Sequence, residues 1–144
     1  KLVPDGVAGD KTLTALAATE RAGGKLSKNF KASEFQCKCG GKYANCLGVL
    51  IDRADIIGLE QLRTAAYPKG FTIVSAYRCE RHNKAVGSSN GSQHRVGKAF
   101  DIPPTLHYNS TKIPARFRGR GYNKGTNKVR HIDSRATSAR WIYG

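Results

Sequence analysis

Two short segments constrain this chain most. Ala99-Phe-Asp-Ile102 and Val129-Arg-His-Ile-Asp133 both alternate side-chain character with the two-residue period of a β-strand. In the first, Ala99 and Asp101 fall on one face and Phe100 and Ile102 on the other. In the second, His131 and Asp133 share a face, about 7 Å apart along the strand. The remaining pattern predicts helices beside these strands, so the fold class is α+β with an antiparallel sheet flanked by helices.

The rest of the chain fills in that outline. Leu47, Leu50, Ile51, Ala54, Ile57, Leu62 and Ala65 recur at helical spacing, which predicts one or two amphipathic helices before Pro68-Lys-Gly70 stops the run. Phe71-Thr-Ile-Val-Ser-Ala-Tyr77 reads as a strand, His82 to Ala85 as a short helical turn, and Gly87 to Ser92 as a polar loop. The Gly-, Arg- and Asn-rich stretch 103–127 reads as a long surface loop. At the start, Pro4-Asp5-Gly6 makes a turn and Asp10 suits the N-cap of an Ala/Leu-rich helix running to about Arg21. Gly23-Gly-Lys-Leu-Ser-Lys28 has the composition of a linker. Lys1 is not an initiator methionine, and the chain is expected to be part of a longer product.

Charge narrows the partners. Twenty-five Lys and Arg against ten Asp and Glu give a net charge of +15 and a pI near 10.1. From Lys112 to Arg140 there are nine basic residues and one acid, Asp133. Such a field attracts polyanions, whether nucleic acid, anionic lipid or the anionic polymers of a bacterial wall. No apolar run is long enough to span a bilayer, so membrane insertion is not expected. Four cysteines, Cys37, Cys39, Cys46 and Cys79, are compatible with two disulfides, or with one disulfide and two free thiols. The Cys37-Lys-Cys39 spacing is tighter than that of most zinc knuckles, and no second close pair completes such a site, so a structural role is expected for all four.

Chemistry concentrates in Ser92-Gln-His-Arg-Val-Gly-Lys-Ala-Phe-Asp101 and in His131-Ile-Asp133. His94, Asp101 and His131 offer the nitrogen and oxygen ligands that suit a catalytic zinc, with a fourth position left for water. Zinc-bound water ionises near neutral pH, so convergence of the three would make a metallohydrolase. A lone His or Asp in such a place is more often a hydrogen-bonding surface residue.

These segments, together with Ile73-Val-Ser-Ala-Tyr-Arg78, Asn83-Lys-Ala-Val-Gly87, Arg130-His-Ile-Asp-Ser-Arg135 and Ala139-Arg-Trp141, resemble the M15 family of zinc peptidases. These are the D-Ala-D-Ala carboxypeptidase-like enzymes, many phage endolysins among them. Phe30-Lys-Ala-Ser-Glu-Phe-Gln-Cys37 resembles the opening of their catalytic domain, and the likeness covers about residues 28–144. Residues 3–16 resemble the closing half of a peptidoglycan-binding helical module. The resemblance implies a remnant of that module over 1–22, a linker over 23–29 and a catalytic domain over 30–144 with the hedgehog/D-Ala-D-Ala peptidase-like fold. It further implies one zinc ion (Zn2+) per chain on His94, Asp101 and His131. Arg78 matches the family arginine that binds a substrate carboxylate or steadies the oxyanion. Asp133 is the candidate general base, or else a group that orients a zinc histidine. Some relatives carry an acid three positions before the last ligand, where this chain has Lys128. Ser92 and Gln93 are candidate substrate-binding residues or shape the loop. His82 and His107 are expected at the surface, and Trp141 in the core, with sugar stacking as its alternative role.

The implied activity is hydrolysis of an amide in bacterial peptidoglycan, by a monomer acting at the cell wall and either secreted or released by phage. Two alternatives stand beside it. Hedgehog signalling domains resemble the same family and act as ligands, which suggests a non-catalytic, zinc-stabilised wall-binding module. The charge and the Arg/Gly/Tyr-rich stretch 116–124 suggest a nucleic-acid binder, but no nucleic-acid motif accompanies them and none is expected as partner.

Overall fold

The alternation in the two strands becomes a sheet with two unlike faces. The computed structural model describes residues 12–14, 25–89 and 91–144. Its main sheet has four strands, β3 (Ala99–Asp101), β4 (Gly119–Asn123), β5 (Val129–Asp133) and β6 (Ala139–Tyr143), in the order β3-β5-β4-β6. A smaller pair joins β1 (Thr12–Thr14) to β2 (Leu50–Asp52), and the two α-helices among the described residues are α1 (Arg53–Ala66) and α2 (Glu80–Ala85). The architecture is mixed α and β, as the sequence pattern requires.

One sheet face builds the core. Phe100 and Ile132, cross-strand partners on β3 and β5, are fully buried, and α1 contributes Ile56, Leu59 and Leu62. Phe30, Phe35, Phe100 and Phe117 meet edge to face in a chain with ring centroids 6.0 Å apart, a preferred arrangement for aromatic quadrupoles. Burying each of these rings stabilises the fold by about 2–3 kcal/mol.

The other face carries polar side chains. Asp101, His131, Gly121 and Trp141 form one row across the four strands; Ala99, Asp133, Gly119 and Ala139 form the next. The small residues around Asp133 have a steric reason. A Cβ on Gly119 would run into the Asp133 carboxylate, and one on Gly121 would lie 2.6 Å from Trp141 Nε1. These glycines leave room for a buried carboxylate and an indole.

Several expectations change. Residues 103–127 are not all loop, because β4 lies among them. Its glycines lower its strand propensity, and it is a strand because β5 and β6 pair with it on either side. The sheet is not wholly antiparallel: β4 and β6 run parallel. Residues 134–138 cross the end of β4, held by Arg118 donating to the Ala136 carbonyl at 2.6 Å. Phe71 to Tyr77 forms only a bridge, Ser75 to Asp101, on the outer edge of β3. Leu47 to Leu50 is not helical, and α1 starts only at Arg53. The helix expected over 10–21 does not hold at Thr12–Thr14, which pairs antiparallel with β2. The rest of that helix, most of the proposed 1–22 module and 23–24 of the linker lie outside the described residues.

Beneath the sheet, Asp55 on α1 is fully buried and takes hydrogen bonds from Arg116 Nε and Ser134 Oγ, both at 2.8 Å. It thereby fastens the helix to the segment before β4 and to the end of β5. Burial raises its carboxyl above the usual range despite these partners. Asp55→Ala removes the acceptor for both donors and is expected to cost about 2 kcal/mol, measurable as a lower urea midpoint.

Candidate functional site

Three elements bring the polar groups together. His131 projects from β5 and Asp101 stands opposite it on β3. His94 sits in a 3₁₀ turn, Gln93–Val96, whose N-cap Ser92 accepts a hydrogen bond from the His94 amide at 3.2 Å. The ligand atoms of His94, Asp101 and His131 all lie within 4.8 Å of one another. Asp101 Oδ1 is 3.3 Å from His94 Nε2 and 3.2 Å from His131 Nδ1.

Proton placement follows from the partners. His94 Nδ1 lies 2.6 Å from the Ala76 carbonyl oxygen, which can only accept, so Nδ1 carries the proton. In the neutral ring Nε2 is then a lone pair, and it is buried without a hydrogen-bond partner. His131 Nε2 donates to Asp133 Oδ2 at 2.8 Å, which turns Nδ1 towards Asp101. Two imidazole lone pairs and a carboxylate oxygen therefore face one point. Acceptors crowded in this way demand a positive charge between them, and the nitrogen–oxygen donor set fits a divalent transition metal. The protein's own electrostatics agree. Burial opposes ionisation of Asp101, but His131 and His94 outweigh it and hold the carboxyl well below the usual carboxylate range. Burial also opposes protonation of His131, yet Asp101 and Asp133 raise its affinity for a positive charge.

Asp133 lies behind this group. It is fully buried, and Arg135 grips it with Nε on Oδ1 at 2.7 Å and a terminal nitrogen on Oδ2 at 2.8 Å. Burial would raise its carboxyl, but Arg135 and His131 draw it well below the usual range. A general base needs an oxygen open to the reacting water; Asp133 has none. Its contacts favour the second of the two roles expected for Asp133, that of a group orienting the His131 ring. Asp133→Asn is expected to weaken metal binding about 10- to 100-fold, measurable by competition with a chromophoric chelator.

A cleft of about 1030 Å³ opens over the three side chains. Arg78 forms part of its wall, with a terminal nitrogen 4.0 Å from Asp101 Oδ2 and another donating to the buried Asn83 at 3.4 Å. Its Nε is buried without a partner, so the guanidinium has donors to spare. Ser92 and Gln93 line the cleft as well, Ser92 with its hydroxyl already engaged as the cap. His107 is exposed and Lys128 points to solvent.

Sequence reasoning missed the opposite wall. Trp141 is not a core residue: its ring packs 5.0 Å from that of His131 and lines the cleft. Arg135 lies over Trp141 at 4.9 Å and Arg130 over Tyr143 at 3.6 Å. The two-residue spacing of Ala139, Trp141 and Tyr143 was the available signal, since it puts all three on one strand face.

The cysteines also depart from expectation. All four thiols are free, and their sulfurs converge within 4.8 Å of one another, so a second group able to hold a metal exists among the described residues. No helix among the described residues is long and apolar enough to cross a membrane. The sequence model of a family described as Peptidase M15 matches residues 28–136. No curated protein shows significant similarity to the chain.

Proposed function

Because the chain belongs to the peptidase M15 family, we propose that it is a zinc-dependent peptidase that hydrolyses an amide in the stem peptides or cross-bridges of bacterial peptidoglycan. The observation that carries this reading is the orphaned His94 Nε2, buried and facing Asp101 and His131 at the floor of an open cleft. His94, Asp101 and His131 would hold the ion. When bound, zinc supplies Lewis acidity to a carbonyl oxygen and lowers the pKa of water.

The chain's own residues do the rest. The Ala76 carbonyl and Asp133 keep one proton on each imidazole, which fixes both tautomers and both ring planes. Arg135 holds Asp133 in turn. Arg78 offers a planar cation to a substrate carboxylate or to the oxygen that gains charge as the amide is attacked. Trp141 covers one side of His131 and keeps bulk water from it. The peptidoglycan substrate is supported by the likeness of residues 3–16 to a wall-binding module and by a net charge of +15, which favours an anionic wall. Action at the cell wall by a secreted or phage-released monomer follows from the same reading.

One observation favours the second reading, a zinc-stabilised wall-binding module without hydrolysis. Asp101 is the only acid among the described residues lining the cleft, and Lys128 stands where some relatives carry one. Purified peptidoglycan incubated with the protein separates the two. The peptidase reading expects new free amines, lost on chelation and restored by zinc. Protein that sediments with intact wall and releases no amines would leave the binding module.

A further inference from the structure

We propose that Cys37, Cys39, Cys46 and Cys79 form a second, structural zinc site, so that the chain carries two zinc ions and not one. This inference is independent of the hydrolytic reading. Cys37, Cys39 and Cys46 come from one irregular loop, and Cys79 joins them from the residue that caps α2. All four sulfurs lie within 4.8 Å of one another, and Cys37 Sγ is 3.8 Å from Cys79 Sγ. A tetrahedral zinc with Zn–S bonds near 2.3 Å puts its sulfurs about 3.8 Å apart along each edge. Disulfide sulfurs would be bonded at about 2.05 Å, whereas these thiols are free. An all-sulfur tetrahedral set selects a soft cation.

The surroundings fit a negatively charged centre. Backbone amides donate to sulfur at two corners, Cys79 N to Cys37 Sγ and Gly48 N to Cys46 Sγ, both at 3.3 Å. Tyr43 packs on the cluster and is flanked by Lys42 and Arg81, cations that offset thiolate charge. With four protein ligands no position is left for water, so the site holds structure and does no hydrolysis.

The loop has reason to need it. Residues 36–48 contain no helix or strand, and Cys37, Cys39, Tyr43 and Cys46 pack in a small cluster around Tyr77, apart from the main core. A metal there would supply the folding free energy that this cluster lacks. It would also stiffen one wall of the cleft, because Cys79 adjoins Arg78, whose amide donates to the His94 carbonyl at 3.0 Å.

The test is metal content of the full chain purified under reducing conditions. Wild-type protein is expected to hold two zinc ions. The double variant His94→Ala/His131→Ala is expected to retain one, with sulfur alone at about 2.3 Å in its X-ray absorption shell. Cys39→Ser/Cys46→Ser, which changes only the half-buried ligands, is expected to lose one ion and keep the other. A double histidine variant without zinc and with thiols open to alkylation would overturn the proposal. So would a mass lower by four hydrogens, which marks two disulfides, or iron in place of zinc.

Discussion

His94→Ala is expected to lower amide hydrolysis about a thousandfold while the protein still unfolds cooperatively. The ring supplies a buried imidazole nitrogen that has no hydrogen-bond partner, and its loss leaves Asp101 and His131 to hold the cation alone. Lewis-acid and water-activation chemistry is worth several kcal/mol, and about 4 kcal/mol of transition-state stabilisation corresponds to that factor. The measurement is initial rate beside zinc content. A fall in rate with one zinc ion fewer than the wild type supports the assignment, whereas full activity with normal zinc content would place the reacting metal elsewhere. Chelation should reproduce the defect in the wild type, and added zinc should repair only the wild type.

Arg78→Ala should behave differently. The guanidinium reaches Asp101 only at 4.0 Å and has an unpartnered Nε, so its main use is towards whatever enters the cleft. Removing it is expected to cost about 3 kcal/mol, or roughly a hundredfold in kcat/KM, with zinc content unchanged. Arg78→Lys is expected to restore little, because an ammonium lacks the planar fork that grips a carboxylate. Steady-state kinetics on purified wall, with zinc measured in parallel, check this. A fall in zinc that matches the fall in rate would instead make Arg78 a support for Asp101.

Those two residues were legible in the sequence, and so were the strands that frame the site. β5 was legible because Ile132 has to be buried on the core face while His131 and Asp133 share the other. β3 was legible for the same reason. β4 was not: Gly-Arg-Gly-Tyr-Asn carries no strand preference, and its glycines make sense only once Asp133 and Trp141 stand above them. The role of Asp133 was open for a related reason, since a pattern of two tells which face a carboxylate takes and not whether Arg135 will bury it there. The cysteines were misjudged because Cys79 lies 33 residues beyond Cys46, and only tertiary folding brings it to the loop. Local spacing has no access to such contacts.

The most direct test of the central claim is an anomalous difference map from crystals of the wild-type protein, collected at the zinc edge. A peak is expected bounded by His94 Nε2, Asp101 Oδ1 and His131 Nδ1, at the floor of the cleft. No peak there, from protein shown to cleave peptidoglycan, would contradict it.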